Sequence, residues 1–269
     1  MKYNALQLSL RKRFSAGYQF DFNYTFAKSM DSASSVERGS FFGNFGSGGY
    51  SGFLINSWDT ESTYAASDFD IRHQMNFNWI ADLPFGRGKK FGHDMNRVVN
   101  QIVGNWSVAG LTRWTSGFPF NVQNCRSCWA TNWNLQGNAM LVDPNSLPAT
   151  QTTENVVNGL PAAFEKPADA LKFFRFQMPG ESGFRNLLRG DGYFTIDLAV
   201  SKAWSLPFQN QKLRFRWDTF NLTNTPRFDT GNVTMTPDRT TTFGRYNGTL
   251  ATCDAQAGRC MQFGLRYEF

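Results

Sequence analysis

Gln262-Phe263-Gly264-Leu265-Arg266-Tyr267-Glu268-Phe269 is the stretch whose reading decides the fold class. Successive side chains of a strand point to opposite faces. Phe263, Leu265, Tyr267 and Phe269, with Met261 before them, therefore fall on one side, and Gln262, Gly264, Arg266 and Glu268 on the other. A chain that stops on an aromatic residue at the end of such a strand is unusual, because termini ordinarily fray into polar tails. One strand of this kind fits the wall of a barrel or the last strand of a soluble β-sandwich, so the decision passes to the residues upstream.

Six further segments alternate in the same way. Leu6, Leu8 and Leu10 oppose Ala5, Gln7 and Ser9; Tyr18, Phe20, Phe22, Tyr24 and Phe26 oppose Gly17, Gln19, Asp21, Asn23 and Thr25. Ile71, His73, Met75, Phe77, Trp79, Ala81 and Leu83 oppose Asp70, Arg72, Gln74, Asn76, Asn78 and Asp82 in a run over 70–83. Trp106, Val108 and Trp114 share one face, as do Phe194, Ile196, Leu198, Val200 and Trp204, and then Leu213, Phe215 and Trp217. Ile80 and Leu111 fall on the polar side, and Lys202 falls in the apolar register, where its stem is expected to reach toward lipid headgroups. Several runs have the roughly 10 residues with which a tilted strand crosses a bilayer.

Composition supports a membrane wall. Aromatic residues make up 16% of the chain, with 27 Phe and 8 Trp, yet the mean hydropathy is −0.42. Apolar residues at every second position, with polar ones in the lumen and loops, reconcile the two values. No run approaches the roughly 18 apolar residues of a membrane-crossing helix, so a spanning structure must be a barrel. The net charge of +6 comes from basic residues scattered along the chain, without the stripe that a phosphate backbone selects, and nucleic acid is not an expected partner. The first residues show no apolar segment followed by a small-residue cleavage site, so a signal peptide is expected to be absent.

The connections carry a second signal. Those over 28–69, 117–190 and 224–259 are long, and those over 12–15, 84–101 and 205–210 are shorter. Strict alternation places the three long ones together, as extracellular loops lie in outer-membrane barrels. Seven strands are too few and too odd in number for a bacterial single-chain barrel. Two readings follow: an eighth strand hidden near 171–176 or 233–235, or, as favoured here, the carboxyl-terminal portion of a larger barrel over 1–269. The fold expected is an all-β antiparallel transmembrane barrel segment of about 7–8 strands with long extracellular loops.

The end pattern Gln262, Gly264, Tyr267 and Phe269 resembles the signal by which outer-membrane barrels are recognised by the barrel assembly machinery. Other segments resemble the Oar-like type of TonB-dependent receptor, in that family's order. They are Tyr3 to Lys28; Asp70-Ile71-Arg72-His73 with Leu83-Pro84-Phe85-Gly86-Arg87-Gly88-Lys89-Lys90-Phe91; and Trp106 with Thr115-Ser116-Gly117-Phe118-Pro119-Phe120. Arg185-Asn186-Leu187-Leu188-Arg189-Gly190 with Asp197 and Lys202 follows, then Phe220-Asn221-Leu222-Thr223-Asn224-Thr225-Pro226-Arg227-Phe228 and Phe243-Gly244. The resemblance implies a barrel of about 22 strands with a plugged lumen. It also implies a bacterial outer-membrane location, contact with outer-membrane lipids, uptake of an unidentified solute, and contact with TonB only through a plug domain that this chain lacks.

Candidate site residues follow from the faces. Arg72, Arg113, Asp197, Arg214, Arg216, Asp218 and Arg266, with Asp21 and Glu268, are candidate lumen-lining residues that either mark a solute path or form a charge-paired wall. Cys125 and Cys128, and Cys253 and Cys260, lie in two long connections, and on an oxidising cell surface they read most simply as disulfides of open connectivity. A four-thiolate zinc site and a redox pair are the alternatives; the six-residue gap of the second pair and the missing βαβ pattern weigh against them. His73 and His93 fall at opposite ends of the wall and cannot share a centre, and Ser35 and Ser40 have no activating His–Asp pattern. Trp129, Trp133 and Tyr50 are loop aromatics to which no site is assigned. No enzyme activity, cofactor or metal is expected. The alternative function is a soluble or secreted β-sandwich that binds a ligand through aromatic loops.

Overall fold

In a computed structural model the described residues are 1–34, 58–123, 138–157, 159–206, 211–250 and 258–269. Strands β1 (Lys2–Ser15) and β2 (Tyr18–Asp31) form a hairpin closed by Ala16 and Gly17. Both turn residues have positive φ, 54° and 86°, the primed geometry whose twist matches that of the flanking strands. The two-residue β3 (Ala65–Ala66) pairs with Met30 and Asp31 at the far end of β2. Then come β4 (His73–Asp82), helix α1 (Arg97–Val103) and β5 (Trp106–Thr115).

The chain next leaves the sheet for the short elements β6 (Pro119–Phe120), β7 (Met140–Leu141), β8 (Thr153–Val157), β9 (Leu160–Ala162), α2 (Pro167–Leu171), β10 (Phe174–Arg175) and β11 (Leu188–Arg189). It returns as β12 (Tyr193–Ser205), β13 (Lys212–Phe220) and β14 (Cys260–Glu268). The sheet order is β1-β2-β4-β5-β12-β13-β14, antiparallel throughout, with β3 on β2. Among the described residues the sheet is open, with β1 and β14 at its edges.

All seven strands expected from alternation are present, and the register carries each apolar face onto the next. Leu8 faces Tyr24, Tyr24 faces Met75, Met75 faces Trp114 and Trp114 faces Phe194; farther along, Val108 faces Val200, Val200 faces Trp217 and Trp217 faces Phe263. One apolar surface therefore runs across the whole sheet, with Asp, Asn, Arg and Ser on the other. A one-residue slip in any pair would exchange the faces, so the register is strongly specified. Ile80 and Leu111 do lie on the polar side, opposite Ala109 and Asp197 respectively. No second sheet packs on this one among the described residues, which leaves the sandwich reading without support. No helix among them is long and apolar enough to cross a membrane.

Three expectations need correction. Neither 171–176 nor 233–235 hides a wall strand. Phe174 and Arg175 pair with Met140 and Leu141 outside the sheet, and Val233 makes only an isolated bridge to Tyr246. The eighth strand of the sheet is β3, too short to show a period. The run over 70–83 is regular strand from His73, and at its start Asp70 is turned back: its N–H donates to Ser67 O at 2.9 Å and its carboxylate accepts Ser29 N–H at 2.6 Å. Arg72 sits at the rim end of this ladder: its carbonyl accepts Ala27 N–H from β2 at 3.0 Å, and its guanidinium lies 3.5 Å from Asp70. Lys202, lastly, does not reach for headgroups. It is buried, its ammonium donating to Ile102 O at 3.1 Å and to Gly104 O, at the carbonyl end of α1 where a cation is favoured.

The buried apolar cluster lies outside the sheet. Phe120, Leu141, Phe164, Phe174 and Leu188 come from the connection between β5 and β12, and Met235, Phe243 and Tyr246 from that between β13 and β14. Phe164 and Phe243 stack at 5.7 Å, 4° from parallel, and Ala163 N–H donates to Gly244 O at 2.8 Å. Two connections separated by a hairpin thus fold into one crown with its own core. Each fully buried phenylalanine contributes about 1.5–3 kcal/mol.

Candidate functional site

Strand directions put the connections over 32–72, 116–192 and 221–259 at one end of the sheet, and the short hairpin turn, the α1 connection and the β12–β13 turn at the other. The crown therefore stands on one rim, as the alternation of loop lengths predicts. Beneath it, on the polar face, lies a cavity of about 500 Å³ lined by Arg11, Asp21, Leu111, Asp197, Arg216 and Asp218 among others. Its lining comes from six neighbouring strands, β1 to β13, so the sheet curls toward its polar side, as a barrel wall does.

Charge on this face is paired. Arg11 meets Asp21 at 2.6 Å, Arg113 meets Asp197 at 2.7 Å and Arg216 meets Asp218 at 2.8 Å. Nearer the short-turn end, Glu268 lies 3.5 Å from Arg214 and 3.7 Å from Arg266. Arg113, Asp197, Arg214, Arg216, Asp218 and Arg266 therefore share one face, strung along the wall and not gathered at a centre. Exposed pairs of this kind add roughly 0–1 kcal/mol each, so their main effect is to keep the face wetted. Asp197 also accepts Asn221 N–H at 2.8 Å. Asn221, at φ 52°, receives Thr225 N–H at 3.0 Å and turns the chain out of β13 toward the crown.

The crown is fixed to the rim by a buried polar junction. Arg185 donates to Asp31 Oδ1 at 2.7 Å, to Ser34 Oγ at 2.6 Å and to Asp68 Oδ1 at 3.1 Å, and all four side chains are buried. Asn186 donates to Ala66 O at 2.7 Å and Asp68 Oδ1 at 2.6 Å, while Arg189 pairs with Asp70. Ser116 bonds His73 through both backbone and hydroxyl, and β6 pairs with β11 directly above. Residues quoted above as separate motifs, at 70–73, 115–120 and 185–190, thus meet in one place. Asp31, Ser34 and Asp68 were not singled out from sequence. Their signal was faint: two carboxylates and a hydroxyl at or just past the ends of β2 and β3, facing a distant segment with two arginines.

Within the crown, Arg175 holds Glu181 bidentately at 2.7 and 2.8 Å. That guanidinium, followed by Met178 N–H, lowers the Glu181 carboxyl to about 2. Burial among the core aromatics pushes the Tyr246 phenol up to about 12.

The chain carries an apolar outer face, a polar curled inner face and a crown at one end, and residues 1–262 match the family model described as outer membrane beta barrel domain. It belongs to that family. The bacterial outer membrane is accordingly its location, and lipid is what its apolar face meets. No curated protein matches the chain, and no solved structure does.

In this outer-membrane barrel the assembly-signal candidates Gln262, Gly264 and Tyr267 occupy the edge strand β14, and Phe269 directly follows it. Gln262 and Gly264 face Asp218 and Arg216 on the polar side, while the rings of Tyr267 and Phe269 lie 6.2 Å apart on the apolar side. Cys125, Cys128 and Cys253 lie outside the described residues, as do Trp129, Trp133, Tyr50, Ser35 and Ser40; Cys260 opens β14. His73 accepts or donates at 2.8 Å with Tyr24 Oη at the crown rim, and His93 pairs with Asp94 in the opposite connection. Among the described residues no three His, Cys, Asp or Glu side chains are grouped to hold a metal ion.

Proposed function

We propose that this barrel segment is wall and outer crown of a TonB-dependent receptor of the Oar-like type, serving uptake of a solute and not catalysis. The supporting observation is the junction: the motif residues Asp70, Arg72, Arg185, Asn186 and Arg189, quoted for that resemblance, converge to clamp a folded crown over a wetted, charge-paired inner face. Such a crown offers a rigid outer surface for capture, and the polar face a path beneath it. The open edges β1 and β14 support membership of a larger wall, because unpaired backbone groups cannot face lipid. Contact with TonB would then come from a plug domain beyond these strands. Disulfides among Cys125, Cys128, Cys253 and Cys260, the last at the crown end of β14, would stiffen the crown.

The test is in-cell crosslinking of the protein carrying an epitope in the exposed turn at 143–146, followed by capture from outer membranes. Recovery of TonB supports the receptor reading. Capture of the barrel from that membrane without TonB overturns it and leaves an ungated pore. The assembly role of the end pattern predicts a second outcome: Phe269→Asp lowers the amount of heat-modifiable protein in the outer membrane, whereas unchanged amounts would remove Phe269 from the signal.

A further inference from the structure

Helix α1 is built inside out. None of its residues is buried, and Val98 and Ile102 are 71% and 69% exposed, with Val99 and Val103 also open. The side chain turned inward is polar: Asn100 Oδ1 accepts Arg87 N–H at 2.7 Å and lies close against Gly86 and Gly104, leaving no room there for a larger residue.

What fastens the helix says which side of the wall it occupies. Trp204 Nε1 donates to Gln101 O at 2.9 Å and Trp106 Nε1 to Ile102 O at 2.9 Å; Lys202 reaches Ile102 O and Gly104 O. Lys202 faces Trp106 in the register, and Trp204 faces Leu213, so all three donors belong to the apolar face. The free carbonyls at the end of α1 thus satisfy three polar groups on a surface that otherwise meets hydrocarbon. The helix is held outside the barrel, at the short-turn rim, continuous with the lipid-facing wall. Around it the same connection carries Arg87, Lys89, Lys90 and Arg97 against Asp94, all exposed.

We propose that α1 with this basic flank is a membrane foot: its aliphatic side chains enter the phospholipid leaflet at the short-turn end, and its cations hold anionic headgroups. An apolar helix face bordered by Lys and Arg is the arrangement that lies in a membrane interface. The proposal rests on membership of the outer-membrane barrel family and is independent of whether the protein transports anything.

The test replaces Val98, Ile102 or Asp94, one at a time, by p-benzoylphenylalanine in the protein assembled in outer membranes. All three positions are exposed, and heat-modifiable mobility confirms that each variant is folded. Irradiation should raise the mass of the Val98 and Ile102 variants by one phospholipid and leave the Asp94 variant unchanged. A protein-sized adduct at Val98 or Ile102 would make α1 a protein-docking element and overturn the proposal, as would the absence of any adduct. Combining the probe with Lys89→Glu and Lys90→Glu should lower the anionic share of the lipid adducts. An unchanged headgroup mixture would overturn the part played by the cations.

Discussion

The wall and the crown use the same aromatic-rich vocabulary in opposite ways. In the wall, Leu8 is 53% exposed and Phe263 69%, whereas in the crown Phe164 and Phe243 are 1% exposed each. The wall has its apolar residues at every second position and turns them outward to a solvent as apolar as they are. The crown has them in irregular clusters, and buries them against one another from two separate connections. Apolar surface in the crown is removed from water and stabilises through the hydrophobic effect. The wall gains no such term from residues that stay in lipid, and its strands are held by ladder hydrogen bonds that have no competing partner there. Packing defects should therefore be costly in the crown, and charge should be costly in the wall.

The largest effects are expected where the two regions join and where the crown is densest. Arg185→Met removes the buried cation shared by the Asp31 and Asp68 carboxylates, which costs about 3–5 kcal/mol. It should release the crown to added protease while heat-modifiable mobility of the wall persists. Loss of both together would mean that the regions are one cooperative unit. Phe164→Ala opens a void beside Phe243 and costs about 3–5 kcal/mol, read as a lower crown melting temperature. An unchanged melt would show that the crown core is not what holds it. In the wall, Leu8→Arg at mid-strand costs about 2–4 kcal/mol in lipid and should appear as a lower urea midpoint for refolding into vesicles. An unchanged midpoint would place Leu8 away from lipid.

The smallest effect concerns pH. Glu181 is held at about 2 against an ordinary 4.5, so its contribution is present above about pH 4.5 and is lost as pH falls toward 2. Crown melts of the native protein should decline through that window relative to Glu181→Gln and converge with it at the acid end. Parallel curves would show that the Arg175 pair adds nothing.

The wall was legible because a strand's period is local: seven alternating runs could be read off, and antiparallel pairing then left one register that keeps Leu8, Phe22, Trp79 and Val200 on a common side. β3 was not, since Ala65-Ala66 has no period to see. Lys202 was misjudged for a physical reason. In isolation its place in an apolar register suggests snorkelling, but the carbonyls of α1 lie nearer than water, and α1 itself shows aliphatics where a globular helix shows polar groups. Arg72 keeps its parity at the rim, bonded to Ala27 of β2, and what the sequence did not show was the turn that Asp70 makes just before it. The rim junction depends on partners more than a hundred positions apart, Arg185 lying 154 residues from Asp31 and 117 from Asp68, and no local pattern announces such pairs. The common face of Arg113, Asp197, Arg214, Arg216, Asp218 and Arg266 was legible because parity alone assigns it.

The crown core also imposes an order on biogenesis. Phe164 and Phe243 belong to segments divided by β12 and β13, which lie in the membrane. Neither segment carries the whole core, so the crown cannot cross as a finished unit, nor finish while either flanking hairpin is still inside. In pulse-labelled cells, protease resistance of the crown should therefore lag behind heat-modifiable mobility of the wall; the reverse order would mean that one segment folds alone. The stacked pair acts as a completion mark, set only when both connections have reached the cell surface, and a chain stalled partway would display loose, apolar loops there instead.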